Sequence, residues 1–422
     1  GGFLMRGGVI PRLFPMMAAV LLLCGTQFFP PLFNGSLRWG YVLLVAVLVL
    51  LARASRQAYK TDLFKWLFAY LVWCSLTIFW SEIPELSLYK MLAAWLALLS
   101  LFVMGHVWGS SLQAADEVWH LYRWLVPAIL LVAILGKGGQ GLLEEGENYY
   151  EGLAGNPNFL GWMMSIIIVP IGWRVMHPGK NDSIYVKYLY RAGLLLGFYY
   201  LLSSQSRAAM LTTFIAATAY LFATHSGKRW RIITALLFLG SSAFLLIPAL
   251  SDTIYSKYVI KGTGQDIAYA WGQSRRGVYD MTMEGAKAGG WLGGGYGISI
   301  GSDPSGYSGG LTSVGYGREK GNGALAIIEE TGLIGFGILI MLFLHFFKVA
   351  RKAYRLMSDR EEKVRIAVLT GYAAAMLILS NFEAWIVAPG SPESLFFWGY
   401  VGVVYALCKR ALRQVPEQVV TA

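Results

Sequence analysis

Charge is scarce in this chain. Only 14% of its 422 residues are Asp, Glu, Lys or Arg, against roughly 25% in soluble domains. A chain this long and this apolar cannot cover its surface in one water-soluble core. Cysteine is also scarce. Cys24, Cys74 and Cys408 lie in or beside apolar runs and no CxxC occurs, which removes a disulfide framework and a cysteine metal site and leaves small packing residues. There is no low-complexity linker and no clear internal repeat. The first apolar stretch lacks a cleavage site and reads as a retained span.

Apolar residues are abundant: 56% of the chain, with a mean hydropathy of +0.52. They fall in runs of the length that a helix needs to cross hydrocarbon, about 17–25 residues. The predicted fold is all-α, a polytopic membrane protein with twelve spans: 13–33, 39–53, 64–81, 88–106, 119–136, 158–174, 188–204, 206–224, 231–250, 323–347, 366–386 and 394–408. Residues 1–250 then hold spans one to nine, 251–322 form one large polar loop, and 323–422 hold spans ten to twelve.

The net charge of +11 follows this layout. Alternate loops are basic: Arg53, Arg56, Lys60 and Lys65; Arg174, Lys180, Lys187 and Arg191; Lys228, Arg229 and Arg231; Lys348 through Arg365; Lys409, Arg410 and Arg413. The intervening loops are poor in Lys and Arg or are acidic, with Glu82, Glu85, Glu144, Glu145, Glu147 and Glu151. Basic loops stay cytoplasmic. Both termini are therefore expected in the cytoplasm, and loops 137–157, 251–322 and 387–393 outside. The charge is a topology signal, so no nucleic-acid partner is implied. Residues 348–365 read as a solvated connecting helix on the cytoplasmic face.

The large loop has its own composition. Gly289, Gly290, Gly293, Gly294, Gly295 and Gly297 form a cluster with no βαβ context for a nucleotide site. It reads either as a turn-rich external loop or as backbone that can approach a bulky substrate. Arg275 and Arg276 precede Tyr279, Asp280 and Glu284 at helical spacing. Arg318, Glu319 and Lys320 lie just before the tenth span. Arg207 sits in the polar break Ser203-Ser204-Gln205-Ser206-Arg207. A cation there needs a partner, or snorkels to the headgroups. Several outward arginines suit a diphosphate, because guanidinium forks match phosphate oxygens. Tyr149, Tyr150, Trp271, Tyr279, Trp291 and Tyr296 can stack on sugars or serve as interfacial anchors.

These residues resemble the O-antigen ligase and polysaccharide polymerase superfamily. Gly155-Asn156-Pro157-Asn158 before an apolar span is similar to its G-x-P-N element. Ser206-Arg207-Ala208-Ala209 is similar to its S-R-small-small element. Arg276, Gly277 and Tyr279, running on to Gly293–Gly297, resemble its arginine and glycine external segment. Asn322, Glu330, Gly332 and Gly335 resemble its H-N…E-x-G-x-x-G element. The resemblance covers roughly residues 150–340. It implies a GT-C-like fold in the bacterial inner membrane, with glycosyl transfer on the periplasmic face. The donor is then a saccharide on polyprenyl (undecaprenyl) diphosphate and the acceptor another saccharide. No metal or other cofactor is implied. Membrane lipid surrounds the protein, and polysaccharide export and chain-length proteins are candidate partners.

By matching position, Arg207 and Arg276 are candidate diphosphate contacts, helped by Arg275 and Arg318. Lys320, Asn322, Asn158, Tyr279 and Glu147 are further candidates for substrate contact. The superfamily's catalytic His falls at Gly321, and His106, His120, His177, His225 and His345 all lie elsewhere. Some polymerase-like members resemble the Glu319-Lys320-Gly321-Asn322 version, which favours a polymerase over a ligase. Glu319 is then the first candidate for general base and Glu147 the second. The alternative for Glu319 is an ordinary ion pair with Arg318 or Lys320. Glu329 and Glu330, inside a span, are expected to hold neighbouring helices or polar backbone, and Glu383 beside Trp385 is one more site candidate. A flippase for lipid-linked oligosaccharide is the rival of another class, although no paired, interrupted helices are evident.

Overall fold

The computed structural model describes residues 9–112, 115–136, 149–179, 182–224, 276–301 and 320–414. Among them every regular element is helical. The helices are α1 (Val9–Leu23), α2 (Gly35–Leu51), α3 (Ser55–Tyr59), α4 (Asp62–Leu76), α5 (Pro84–Ala94), α6 (Ser100–Ser111), α7 (His120–Ile134), α8 (Pro157–Met176), α9 (Ile184–Ser204), α10 (Arg207–Thr224), α11 (Arg276–Gly289), α12 (Gly323–Leu356), α13 (Arg360–Leu379) and α14 (Pro392–Gln414). A wide turn, Trp95–Leu99, joins α5 to α6. Side-chain oxygens of Asn34, Thr61, Asn156, Ser183, Asn322 and Asp359 cap the starts of α2, α4, α8, α9, α12 and α13. Each satisfies an amide that the helix cannot.

Six helical stretches among the described residues are long and apolar enough to cross a membrane: Asp62–Trp80, Pro84–Ser111, Glu117–Ile134, Pro157–Met176, Gly323–Leu356 and Pro392–Gln414. The expected span 231–250 lies outside the described residues. The expected span 13–33 is cut short at Leu23, because Gly25, Pro30 and Pro31 follow. That at 366–386 ends at Leu379. Residues 348–365 form no separate helix: α12 runs on to Leu356 and α13 restarts at Arg360.

The outer surfaces carry large apolar side chains. Leu50, Leu51 and Leu195 are 73–78% exposed, a placement that suits hydrocarbon rather than water. Inside, α14 packs against α6 with almost no side chain between them. A Cβ on Gly105 would lie 2.0 Å from the Gly399 carbonyl, and one on Gly402 lies 2.2 Å from the Phe102 carbonyl. Such small-residue contacts draw helices together where lipid removes the hydrophobic drive.

The described loops sort to two ends. At one, the Gln27 amide donates to Leu153 O (2.7 Å), Tyr150 N to Ser203 O (3.2 Å), Glu82 N to Gly294 O (3.4 Å) and Gly323 N to Ser380 O (2.9 Å). This glycine end gathers loops that the charge pattern assigns to one side. At the other, Arg410 donates to Leu112 O. There too the buried Asp182 carboxylate takes Arg174 at 2.9 Å and Arg123 at 3.1 Å.

Burial alone would raise the Asp182 carboxyl. The Arg174 guanidinium, the Gly179 amide and Arg123 outweigh it and hold the group below its ordinary value. The folded state therefore gains stability from Asp182 above the ordinary Asp pKa, about 3.9, and loses it as pH falls through the depressed value. Asp182→Asn is expected to cost about 2 kcal/mol at neutral pH and to flatten the acid limb of thermal stability below about pH 4. Detergent-solubilised unfolding curves from pH 7 to 3 measure both.

Candidate functional site

Two groups of residues meet at the glycine end. The first is built on α8. Gly155 adopts φ +67° with its Cα beside Gln27, so the chain turns sharply into α8. Asn156 then accepts the amides of Asn158 (2.8 Å) and Phe159 (3.3 Å). Asn158 is half-buried at the helix start. One turn on, a Cβ at Gly161 would lie 2.7 Å from Ser206 Cβ and 2.8 Å from Ser204 Oγ. Glycine thus lets α8 touch the corner where α9 ends and α10 begins. Gln205 takes the left-handed conformation at that corner (φ 51°), and the half-buried Arg207 opens α10. Trp162 packs on Trp385 with ring centroids 6.3 Å apart. Ser206 and Trp385 therefore flank one turn of α8, and Arg207 and Glu383 are near them in sequence.

The second group is built on α12. This helix is broken at Gly332, where φ is 69° and ψ −178°. The glycine turn 289–297 fills the break. Gly294 N donates to Glu329 O (2.8 Å) and Gly295 N to Glu330 O (3.1 Å), while Leu333 N donates to Gly290 O (3.0 Å) and Ile334 N to Trp291 O (3.3 Å). Trp73 Nε1 donates to Thr331 O at 2.7 Å and Trp80 Nε1 to Gly293 O at 3.0 Å. The backbone freed by the break is thus re-paired by protein. The glycines do bring backbone into close approach, but the surface approached is α12: a Cβ at Gly293 would sit 2.4 Å from Glu330 O.

Four charged side chains lock the turn. Glu329 Oε1 accepts the Ile300 amide at 2.8 Å and Glu330 Oε2 the Gly297 amide at 2.9 Å. Lys320 Nζ donates to Glu330 Oε1 (2.5 Å) and Ile298 O (2.7 Å) and lies 3.6 Å from Glu329 Oε2. Lys90 Nζ donates to Gly297 O at 2.7 Å. The two carboxylates hold polar backbone, as expected of them. Lys90 belongs to no motif, although a lone cation in an apolar run signals a partner.

Lys320 leads into Gly321, whose amide lies 3.3 Å from Thr282 Oγ1 on α11. A Cβ at Gly321 would face Val278 at 3.1 Å and the Tyr279 amide at 3.6 Å. Asn322 accepts the Leu325 amide at 3.0 Å as a helix cap. Arg276 begins α11, and its backbone is described. Tyr279 is 43% exposed and Trp291 70%. Glu147, Trp271, Arg275, Arg318 and Glu319 lie outside the described residues.

No protein-family model matches the chain, and no curated protein matches it. The site therefore rests on its own geometry. Segment 380–392 ties the two groups together: Ser380 O accepts Gly323 N, Tyr296 OH donates to Val387 O (2.5 Å), and Pro392 packs on Gly25 beside Phe159. Tyr296 is 1% exposed, so its ring is withdrawn from any sugar. Tyr150 stacks on Tyr200 at 5.3 Å and donates to Ala133 O (2.5 Å). His106 and His345 approach Tyr405 inside the bundle, and His177 stacks on Trp173. His120 starts α7 on the side of Arg123 and Asp182, and His225 lies outside the described residues.

Proposed function

We propose that this chain is a membrane glycosyltransferase that extends a saccharide carried on polyprenyl diphosphate, polymerising lipid-linked repeat units. The observation that carries the reading is convergence. Asn156-Pro157-Asn158, Ser206-Arg207, the start of α11 and Lys320-Gly321-Asn322 are far apart in sequence and gather at one end of the bundle. That end joins apolar helix surface to polar loop, which is what a lipid carrier bearing sugars requires. In this reading the protein has twelve spans and a GT-C-like fold in the bacterial inner membrane. The glycine end is periplasmic, and both termini are cytoplasmic.

The chemistry follows from the residue types. An acceptor hydroxyl attacks the anomeric carbon of the donor sugar. The bond from that carbon to the diphosphate oxygen breaks, and the diphosphate leaves with the electron pair. Arg207 and Arg276 stabilise the charge that builds on it, because fixed cations in a partly dry site act without reorganising. Arg275 and Arg318 support them. The hydroxyl proton passes to a carboxylate, with Glu319 first and Glu147 second, since Gly321 offers no imidazole.

A flippase is the rival whose broken helices line a transport path. In α12 the carbonyls and amides at the break are occupied by the glycine turn and Trp73, which favours a fixed scaffold. Purified protein in liposomes, supplied with a lipid-linked repeat unit, tests the reading. A ladder of lengthening products without added acceptor is expected. Product only when a second lipid or protein acceptor is supplied identifies a ligase, and movement of donor without bond formation identifies a transporter.

A further inference from the structure

Lys320 was expected to meet substrate, yet its ammonium is committed elsewhere. Its side chain is 9% exposed, and Glu330 Oε1, Ile298 O and Glu329 Oε2 surround it at 2.5, 2.7 and 3.6 Å. Lys90 donates to Gly297 O at 2.7 Å beside the same carboxylates, so two lysines accompany Glu329 and Glu330 and the cluster is charge-balanced, the condition under which ions tolerate an apolar setting. The next residue, Gly321, donates its amide to Thr282 Oγ1 of α11 at 3.3 Å, and a Cβ there would lie 3.1 Å from Val278. Lys320 therefore joins the glycine turn, the broken helix and the helix that begins at Arg276.

We propose that Lys320 and Glu330 form a latch that positions α11, and with it Arg276, against the rest of the glycine end. This rests on the glycosyl-transfer reading only for its catalytic consequence. Lys320 is then a positioning residue and not a diphosphate ligand. The two roles differ in how Glu330 behaves. A latch fails equally from either side. A lysine that grips diphosphate is held back by Glu330, and removing the carboxylate frees it.

The experiment has two readouts on purified wild type, Lys320→Met, Glu330→Ala, the milder Glu330→Gln and the double variant Lys320→Met/Glu330→Ala. Without substrate, amide hydrogen exchange over residues 276–300, which include α11 and the glycine turn, is expected to rise at least about tenfold in Lys320→Met and Glu330→Ala. Glu330→Gln keeps an acceptor for the Gly297 amide and is expected to recover part of the protection. With the lipid-linked donor, each single variant is expected to lose about tenfold in kcat with KM within twofold. The double variant is expected to be no worse than the poorer single, as for two residues acting as one unit. Unchanged exchange in the single variants overturns the latch, whatever the turnover. So does a raised donor KM in Lys320→Met alongside an unchanged or lowered KM in Glu330→Ala. Raised exchange in a protein that makes no product in any form leaves the latch standing and removes the glycosyl-transfer reading instead.

Discussion

Gly332→Ala is expected to lower stability by about 4 kcal/mol, near the limit of what one substitution does. Its φ of 69° with ψ −178° belongs to a region that only glycine occupies cheaply. The added methyl would also fall 2.1 Å from Trp291 O and 2.5 Å from Leu292 N, both backbone atoms that no rotamer change can move. Relief requires withdrawing the glycine turn, which breaks the four backbone hydrogen bonds that cross between the turn and α12. Gly337 in the same helix is the control. A Cβ there meets nothing within 4 Å, so Gly337→Ala is expected to stay within about 1 kcal/mol of the parent. Thermal unfolding of the two variants in the same detergent decides, and equal stability would mean that the turn does not grip the break.

The largest catalytic effect is expected at the arginines. Arg207→Ala and Arg276→Ala should each lower kcat/KM for the lipid-linked donor by at least about 100-fold, the cost of removing one preorganised charge-stabilising donor. Lysine at either position should restore only part, because a point charge does not reproduce the guanidinium fork. Incorporation of labelled repeat unit measures the rate, and unfolding temperature shows whether the variants are intact. Arg207 opens α10 at a helix start, half-buried beside Ser206, so the substitution removes charge without emptying a core position. Full-length polymer from both variants would defeat the assignment.

The sequence made much of this architecture legible, for identifiable reasons. Periodicity is not needed to find a membrane helix: apolar length suffices, and Asp62–Trp80, Pro157–Met176 and Pro392–Gln414 lie where hydropathy puts them. Helix ends were harder. Hydropathy runs past Leu23 to Phe33, but Gly25 and paired prolines stop the helix first. Arg276, Tyr279, Asp280 and Glu284 fall on helical spacing, and a helix does run Arg276–Gly289, inside a stretch that composition marks as loop.

The glycine cluster shows what a single chain conceals. Composition marks Gly289 to Gly297 either as a turn-rich loop or as backbone that comes close to something. Only the fold reveals that the partner is the break in α12, because the pairing of residue 294 with 329 is set by tertiary contact. Glu329 and Glu330 were legible as carboxylates needing partners. Lys320 was read by type, as a cation beside a candidate site, and residue type alone does not say which way an ammonium points. Lys90 and Thr282 carry no motif, and only their contacts with Gly297 and Gly321 bring them into the site.

In the proposed reaction, arginines at the glycine end hold a doubly phosphorylated lipid carrier. Direct binding tests it without requiring turnover. Native mass spectrometry of the detergent-solubilised protein should show polyprenyl diphosphate bound at least about tenfold more tightly than polyprenyl monophosphate. That preference should disappear in the combined Arg207→Ala and Arg276→Ala variant. Equal binding of the two lipids, or a preference that survives loss of both arginines, would contradict the account.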